Sequence, residues 1–202
     1  WTIQAFKLSE DPEVLLPSAI NIDGFIISHS MEAVEVLEDE TVRAFLPPRS
    51  GACAIDPNKP STIGPVALPD YYFEFKRQQA ELMKRVPAAL ERICRDFERI
   101  SGRRYGRLQS YGMEDARTAI ICMGSAAGTA RHVAKALRKR GEKVGVVKVW
   151  LYRPFPADDI ARELEGLRSV IVMDRAISFG APFGPLCSDV IGAIYGKMPK
   201  LR

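Results

Sequence analysis

Residues Thr118–Trp150 read TAIICMGSAAGTARHVAKALRKRGEKVGVVKVW, and this stretch decides the fold. Thr118–Met123 is a short apolar run that ends at a small-residue turn, Met123–Gly128. Gly128–Arg140 has helical character. Val144–Trp150 (VGVVKVW) is apolar except at Gly145 and Lys148. Runs this apolar suit strands buried on both faces, and one helix between two such strands makes a right-handed crossover to a parallel neighbour. Val144–Trp150 is therefore expected to be an interior strand beside Thr118–Met123. The helix is expected to turn Ala126, Ala130, Val133 and Leu137 inward.

The alternation continues outward from this unit. Strands are expected at Gly106–Tyr111 and Ser169–Asp174, and helices at Ala157–Gly166 and about Pro185–Tyr195. Together they predict a mainly parallel α/β layer over 105–202. Upstream, Thr2–Ser9 reads as the end of a helix and Val14–Asp23 (VLLPSAINID) as a buried strand. Asp23-Gly24 turns into a loop, Phe25–Ser30, and Glu40–Leu46 reads as a helix that stops before Pro47-Pro48. Pro47–Pro69 holds six prolines and reads as a connection. Asp70 is expected to cap a long helix with Tyr72, Phe75, Leu82 and Val86 on one stripe. Pro87 restarts that helix, which continues with Leu90, Ile93, Cys94, Phe97 and Ile100 and ends at Gly102.

The chain has 202 residues, 47% of them apolar and 27% charged, which suits a packed core and not disorder. The net charge of +4 is spread along helix faces, as in Lys135–Arg140, and does not suggest nucleic acid. No apolar run reaches the roughly 18 residues of a membrane span. Trp1 opens the chain, and both ends read as cut from a longer polypeptide. The cysteines, Cys53, Cys94, Cys122 and Cys187, form no Cys-x-x-Cys pair, so no iron–sulfur or zinc spacing is present. Reduced thiols in a cytoplasmic protein are expected.

Four clusters bear on function. Asp23–His29 (DGFIISH) places an acid, a hydroxyl and an imidazole within seven residues, expected at the carboxyl end of a strand. Asp23, Ser28 and His29 are the candidate catalytic residues, against a purely structural reading of the same loop. Met123–Gly128 offers backbone N–H groups that suit an anion, or only a tight turn. Arg153-Pro154-Phe155-Pro156 fixes a loop at the carboxyl edge of the sheet, either to position the next helix or to meet a partner. Asp174-Arg175 ends the last strand before a Gly- and Pro-rich loop. His132 is expected in solvent, and no metal site is expected.

The ordered blocks DGFIISH, PDYYFEFKRQQ, SGRRYG, MGSAAGTARHV, GEKVGVVKVWLYRPFP and VMDRAISFGAPFGPL resemble the alpha subunit of 2-oxoacid:ferredoxin oxidoreductases. YYFEFK and GRRYG are closest to the pyruvate and branched-chain types. The resemblance implies oxidative decarboxylation of a 2-oxoacid on thiamine diphosphate, electrons leaving through iron–sulfur clusters to ferredoxin or flavodoxin, and acyl transfer to coenzyme A. It implies that residues 1–69 end a pyrimidine-side thiamine domain, that 70–104 link, and that 105–202 resemble a transketolase C-terminal domain. It further implies that thiamine diphosphate, magnesium and the clusters belong to the whole complex. None is expected to bind this segment alone, which is expected to be inactive by itself. The family's aminopyrimidine glutamate and substrate-facing Thr and Arg would lie ahead of Trp1. The DGFIISH loop is similar to the substrate-facing Asp-Gly-x-x-His loop of transketolases, and that similarity names Asp23, Ser28 and His29. The alternatives are a transketolase or 2-oxoacid dehydrogenase beta chain, and a non-catalytic nucleotide-sensing α/β module.

Overall fold

The computed structural model describes residues 1–46, 48 and 55–198. In chain order its elements are α1 (Thr2–Glu10), α2 (Ile26–His29), α3 (Asp39–Phe45), α4 (Pro69–Met83), α5 (Val86–Ser101), β1 (Leu108–Tyr111), β2 (Thr118–Cys122), α6 (Ala126–Arg138), β3 (Val144–Val149), α7 (Ala157–Glu163), β4 (Ser169–Val172) and α8 (Pro185–Ile194). Two compact units result: Trp1–Ile20 with Val34–Arg104, and Asn21–Ala33 with Tyr105–Arg202. Cys53 and most of the start of the expected Pro47–Pro69 connection lie outside the described residues, as does Pro199. Residues 55–68 hold neither helix nor strand.

In the first unit α5 carries the core. Val86, Ala89, Leu90, Ile93, Cys94 and Phe97 recur at helical spacing and are all buried. Each large member stabilises by roughly 1.5–3 kcal/mol. Pro87 occupies the first turn, where its missing N–H costs nothing, and Gly102 closes the helix in the left-handed region at φ 65°. α1 lies against α5, and Gln4 accepts the Cys94 thiol hydrogen at 3.2 Å in a fully buried pair. Phe45 of α3 meets Phe97 edge-on at 5.4 Å. Arg92 pairs with Asp11 at 2.8 Å and Glu13 at 3.3 Å.

Several expectations fail in this part of the chain. Val14–Asp23 is not a strand. Only Val14 is buried, Leu15 adopts φ 45°, and no backbone ladder forms in the described residues. An apolar run becomes a strand only where a neighbouring strand accepts its N–H groups. Asp70 is not a cap, because Pro69 takes the first helical position and Leu68 the cap. The long helix does restart at Pro87 as expected, with α4 ending at Met83 and α5 beginning at Val86. Within the first unit α4 buries no side chain, and Tyr72 and Phe75 stay exposed. Ile100 is also exposed, one residue before the helix end.

The second unit bears out the layer read from Thr118–Trp150. Strand order is β1-β3-β2-β4, with β3 interior. β2 runs parallel to both β3 and β4, Ile120 opposite Val146 and Ile171, while β1 is antiparallel to β3. Alternate side chains of β3 serve opposite faces. Val147 and Val149 join Ile121, Ile160, Leu164, Leu186 and Val190 on the side of α7 and α8. Val146 joins Cys122, Ala127 and Ala134 on the side of α6. Ala126 and Ala130 pack on this face of α6 as expected, joined by the buried Ala127 and Ala134, while Val133 faces solvent and Leu137 is half-buried. Alanines at this stripe let the helix approach the sheet closely.

Burial pushes the Cys94 thiol up to about 11 and also raises Cys122 and Cys187. Thiolates are the reactive form. Native protein pulsed with iodoacetamide at neutral pH should therefore be alkylated slowly at Cys94 and Cys122, and faster at half-buried Cys187. Peptide mass spectrometry reads this. Labelling of Cys94 at the denatured-chain rate would contradict the buried contact with Gln4.

Candidate functional site

The three parallel strands end at Cys122, Val149 and Val172, so the residues that follow them share one edge of the sheet. Open sheets place ligands at that edge. Three turns converge here. After β2, Gly124 turns at φ 62° into α6. After β3 comes Trp150, with the Lys148 ammonium 3.6 Å over its ring. Burial lowers the Lys148 pKa, against the pull of Cys122 and Asp23. After β4 come Asp174 and Arg175.

Asp23 sits in this edge. The Ser125 backbone N–H donates to one carboxylate oxygen and the Arg175 guanidinium to the other. The side chain is 9% exposed. These partners, the Ser125 N–H foremost, hold the carboxyl below its ordinary pKa. A side chain at Gly124 would collide with both Asp23 oxygens, so glycine is required for space as well as for φ. The anion-cradling turn Met123–Gly128 therefore does receive an anion, supplied by the chain itself.

The segment that carries Asp23 then folds over. The expected loop Phe25–Ser30 contains a helical turn, α2. Phe25 enters it at φ 69° and donates its N–H to Ser28 Oγ at 2.9 Å. Ser28 Oγ lies 2.7 Å from His29 Nδ1, and the Phe25 ring stacks on the imidazole at 5.0 Å. The Ser28 contact engages Nδ1 of the exposed imidazole. Ser28 and His29 are exposed, as are Phe25, Ile26 and Met31. The three candidate residues thus divide. Asp23 is consumed as an anchor, and Ser28 and His29 form one exposed pair. The Asp174-Arg175 and Met123–Gly128 motifs contain Arg175 and Ser125, while Lys148 stands in β3, where the sequence shows only a polar break in an apolar strand.

The remaining motifs are structural. Asp174 accepts the N–H groups of Leu186 at 3.1 Å and Cys187 at 2.9 Å, capping α8 from a distance. Gly184 stands at the cap position because a side chain there would strike the Asp174 carboxyl. Arg153 pairs with Asp189 of α8 at 2.9 Å and covers the Tyr152 ring at 4.1 Å, so its loop positions a helix. His132 is exposed on α6. Among the described residues no three His, Cys, Asp or Glu side chains cluster to hold a metal. No described helix is long and apolar enough to cross a membrane.

Residues 1–95 match the pyruvate flavodoxin/ferredoxin oxidoreductase thiamine-diphosphate-binding domain, and residues 116–202 match core domain II of pyruvate:ferredoxin oxidoreductase. Pyruvate synthase subunit PorA of Thermotoga maritima is 43% identical over 96% of this chain and 50% of its own length. The corresponding subunit of Methanothermobacter thermautotrophicus is 37% identical over 98% of this chain and 49% of its own. The chain spans about half the length of the curated relatives it matches. A solved 2-oxoglutarate:ferredoxin oxidoreductase from Magnetococcus marinus matches 62% of this chain and 20% of its own at 25% identity, with a TM-score of 0.40.

Proposed function

The chain belongs to the pyruvate flavodoxin/ferredoxin oxidoreductase family, and from that premise we propose that it is part of the alpha subunit of a pyruvate-type 2-oxoacid:ferredoxin oxidoreductase. One observation carries the reading: two family domains follow one another in order, and a pyruvate synthase subunit is 43% identical across nearly the whole chain. The reaction proposed is oxidative decarboxylation of pyruvate to acetyl-coenzyme A and carbon dioxide, with reduction of ferredoxin or flavodoxin in the cytoplasm. Other subunits or domains of the complex would complete the enzyme.

Thiamine diphosphate supplies the electron sink for decarboxylation when it is bound. The described residues offer no ligand set for its metal or for a cluster, so no step is assigned to this chain at either. Its proposed part is narrower. Residues 1–69 would close the pyrimidine-side domain, with 70–104 linking to a transketolase C-terminal-like unit at 105–202. The thiamine-domain match extends through α4 into α5. Asp23 would hold the α2 turn in place. The exposed Phe25, Ile26 and Ile27 would exclude water from the reacting carbonyl, and His29 would hydrogen-bond the substrate through the ring nitrogen not facing Ser28.

The complete complex, given pyruvate, coenzyme A, thiamine diphosphate and magnesium, should reduce ferredoxin. Failure to do so, with transfer to lipoamide or an aldose instead, would favour the transketolase or dehydrogenase reading. In the same complex His29→Ala should lower kcat/KM for pyruvate about ten- to hundredfold, the worth of one polar contact of roughly 1–3 kcal/mol. His29 is exposed, so the melting temperature should barely move. Unchanged kcat/KM would leave His29 without a part in the reaction.

A further inference from the structure

The solvent face of α6 breaks a local rule of helix design. Gly128, Arg131, His132 and Lys135 lie at i, i+3, i+4 and i+7, so they share one stripe. Arg131 and Lys135 are like charges at i, i+4, an arrangement that weakens a helix. α6 contains no Asp or Glu to relieve it. Arg138, one turn on, is neutralised by Asp115 at 2.5 Å. Arg131 and Lys135 have no carboxylate partner among the described residues.

The same stripe forms one wall of a concavity. Tyr111, at the end of β1, forms the other, and the space between them is about 360 Å³, lined by Tyr111, Gly128, Arg131, His132 and Lys135. This lies at the small end of ligand pockets. The Arg131 guanidinium carbon lies 5.3 Å from the centre of the Tyr111 ring, a cation–π contact. Gly128 leaves the floor open, since a side chain there would meet nothing within 4 Å. An aromatic ring with a guanidinium over it, beside an ammonium and an imidazole, matches a flat heterocycle that carries phosphate. Aromatic and guanidinium planes stack bases, and ammonium and guanidinium groups bind phosphate oxygens.

We propose that this cleft binds a nucleotide, its base on the Tyr111–Arg131 platform and its phosphates toward His132 and Lys135. The site is separate from Asp23, Ser28 and His29, and it does not rest on the reaction proposed above. The closing experiment is isothermal titration of the full-length protein, in its complex, with ATP, AMP and inorganic pyrophosphate. ATP and AMP are expected to bind saturably and to weaken as salt is raised. Arg131→Gln with Lys135→Gln should weaken ATP at least about tenfold, the loss of the guanidinium beside the base and of one phosphate contact. Both residues are exposed, so the double variant should keep its melting temperature. Tyr111→Leu should weaken AMP while leaving the fold intact. Three results overturn the proposal: no saturable binding at millimolar nucleotide, ATP affinity unchanged in the double variant, or pyrophosphate binding as tightly as ATP.

Discussion

Val147→Asp is expected to leave the second unit unfolded at neutral pH. Val147 is fully buried on the interior strand β3, between Ser110 of β1 and Ile121 of β2. Its side chain packs in the cluster with Ile160, Leu164, Leu186 and Val190. Two costs add. Removing the valine forfeits roughly 1.5–3 kcal/mol of apolar burial. A carboxylate in its place meets only hydrocarbon, because Lys148 belongs to the opposite face, and an unpaired buried charge costs several kcal/mol more. The sum reaches the lower part of the roughly 5–15 kcal/mol that holds a domain folded. The sign with pH is set by the same burial. Desolvation raises the carboxyl's pKa in the folded state, so the penalty is full at neutral pH and shrinks as acid protonates the group. Circular-dichroism melts should show no cooperative transition at pH 7 and partial recovery near pH 4. Val133→Asp on the exposed face of α6 is the control and should melt almost as wild type. A cooperative transition for Val147→Asp at pH 7 near the wild-type temperature would remove β3 from the interior of the sheet.

The success of that strand and the failure of another have one physical cause. VGVVKVW is preceded in the same chain by both strands it pairs with, so its local apolarity finds a ladder on both sides. VLLPSAINID looks equally apolar, yet no described strand stands beside it. Local sequence reports that a segment is suited to burial and cannot report whether a neighbour is present. The aromatic stripe of α4 makes the same point, since Tyr72 and Phe75 have the spacing of a buried face and nothing in their unit covers them. The α5 stripe succeeded because α1 and α3, close in the same unit, supply Leu8 and Phe45. The site divided similarly. DGFIISH and MGSAAG were each readable as polar or anion-handling motifs. That one is the ligand of the other depends on a hydrogen bond spanning 102 residues, which no spacing rule encodes.

That long-range contact leads to a second large effect, on the Asn21–Ala33 segment rather than on the whole unit. Asp23→Ala removes the acceptor for the Ser125 N–H and the partner of Arg175. Hydrogen bonds to a charged group are worth about 1.5–3 kcal/mol when shielded, but Arg175 is more than half exposed and its share is small. A net loss of about 2 kcal/mol is expected, so the segment should open about thirty times more often. Amides of residues 25–30 and of Ser125 should exchange hydrogen faster by that factor, while those of β3 keep their protection. Arg175→Met should give a much smaller increase. Asp23→Asn, which keeps a neutral acceptor, should fall between. The pH sign follows from the lowered carboxyl: the anchor is fully present above the ordinary carboxylate range and is lost as pH falls through the lower folded value. If the anchor's purpose is to present His29, then in the complete complex Asp23→Ala and His29→Ala should not be additive in kcat/KM. The double variant should lose little more than the worse single one. Additive losses would mean that Asp23 acts on the reaction by another route, and unchanged exchange at residues 25–30 would mean that it anchors nothing.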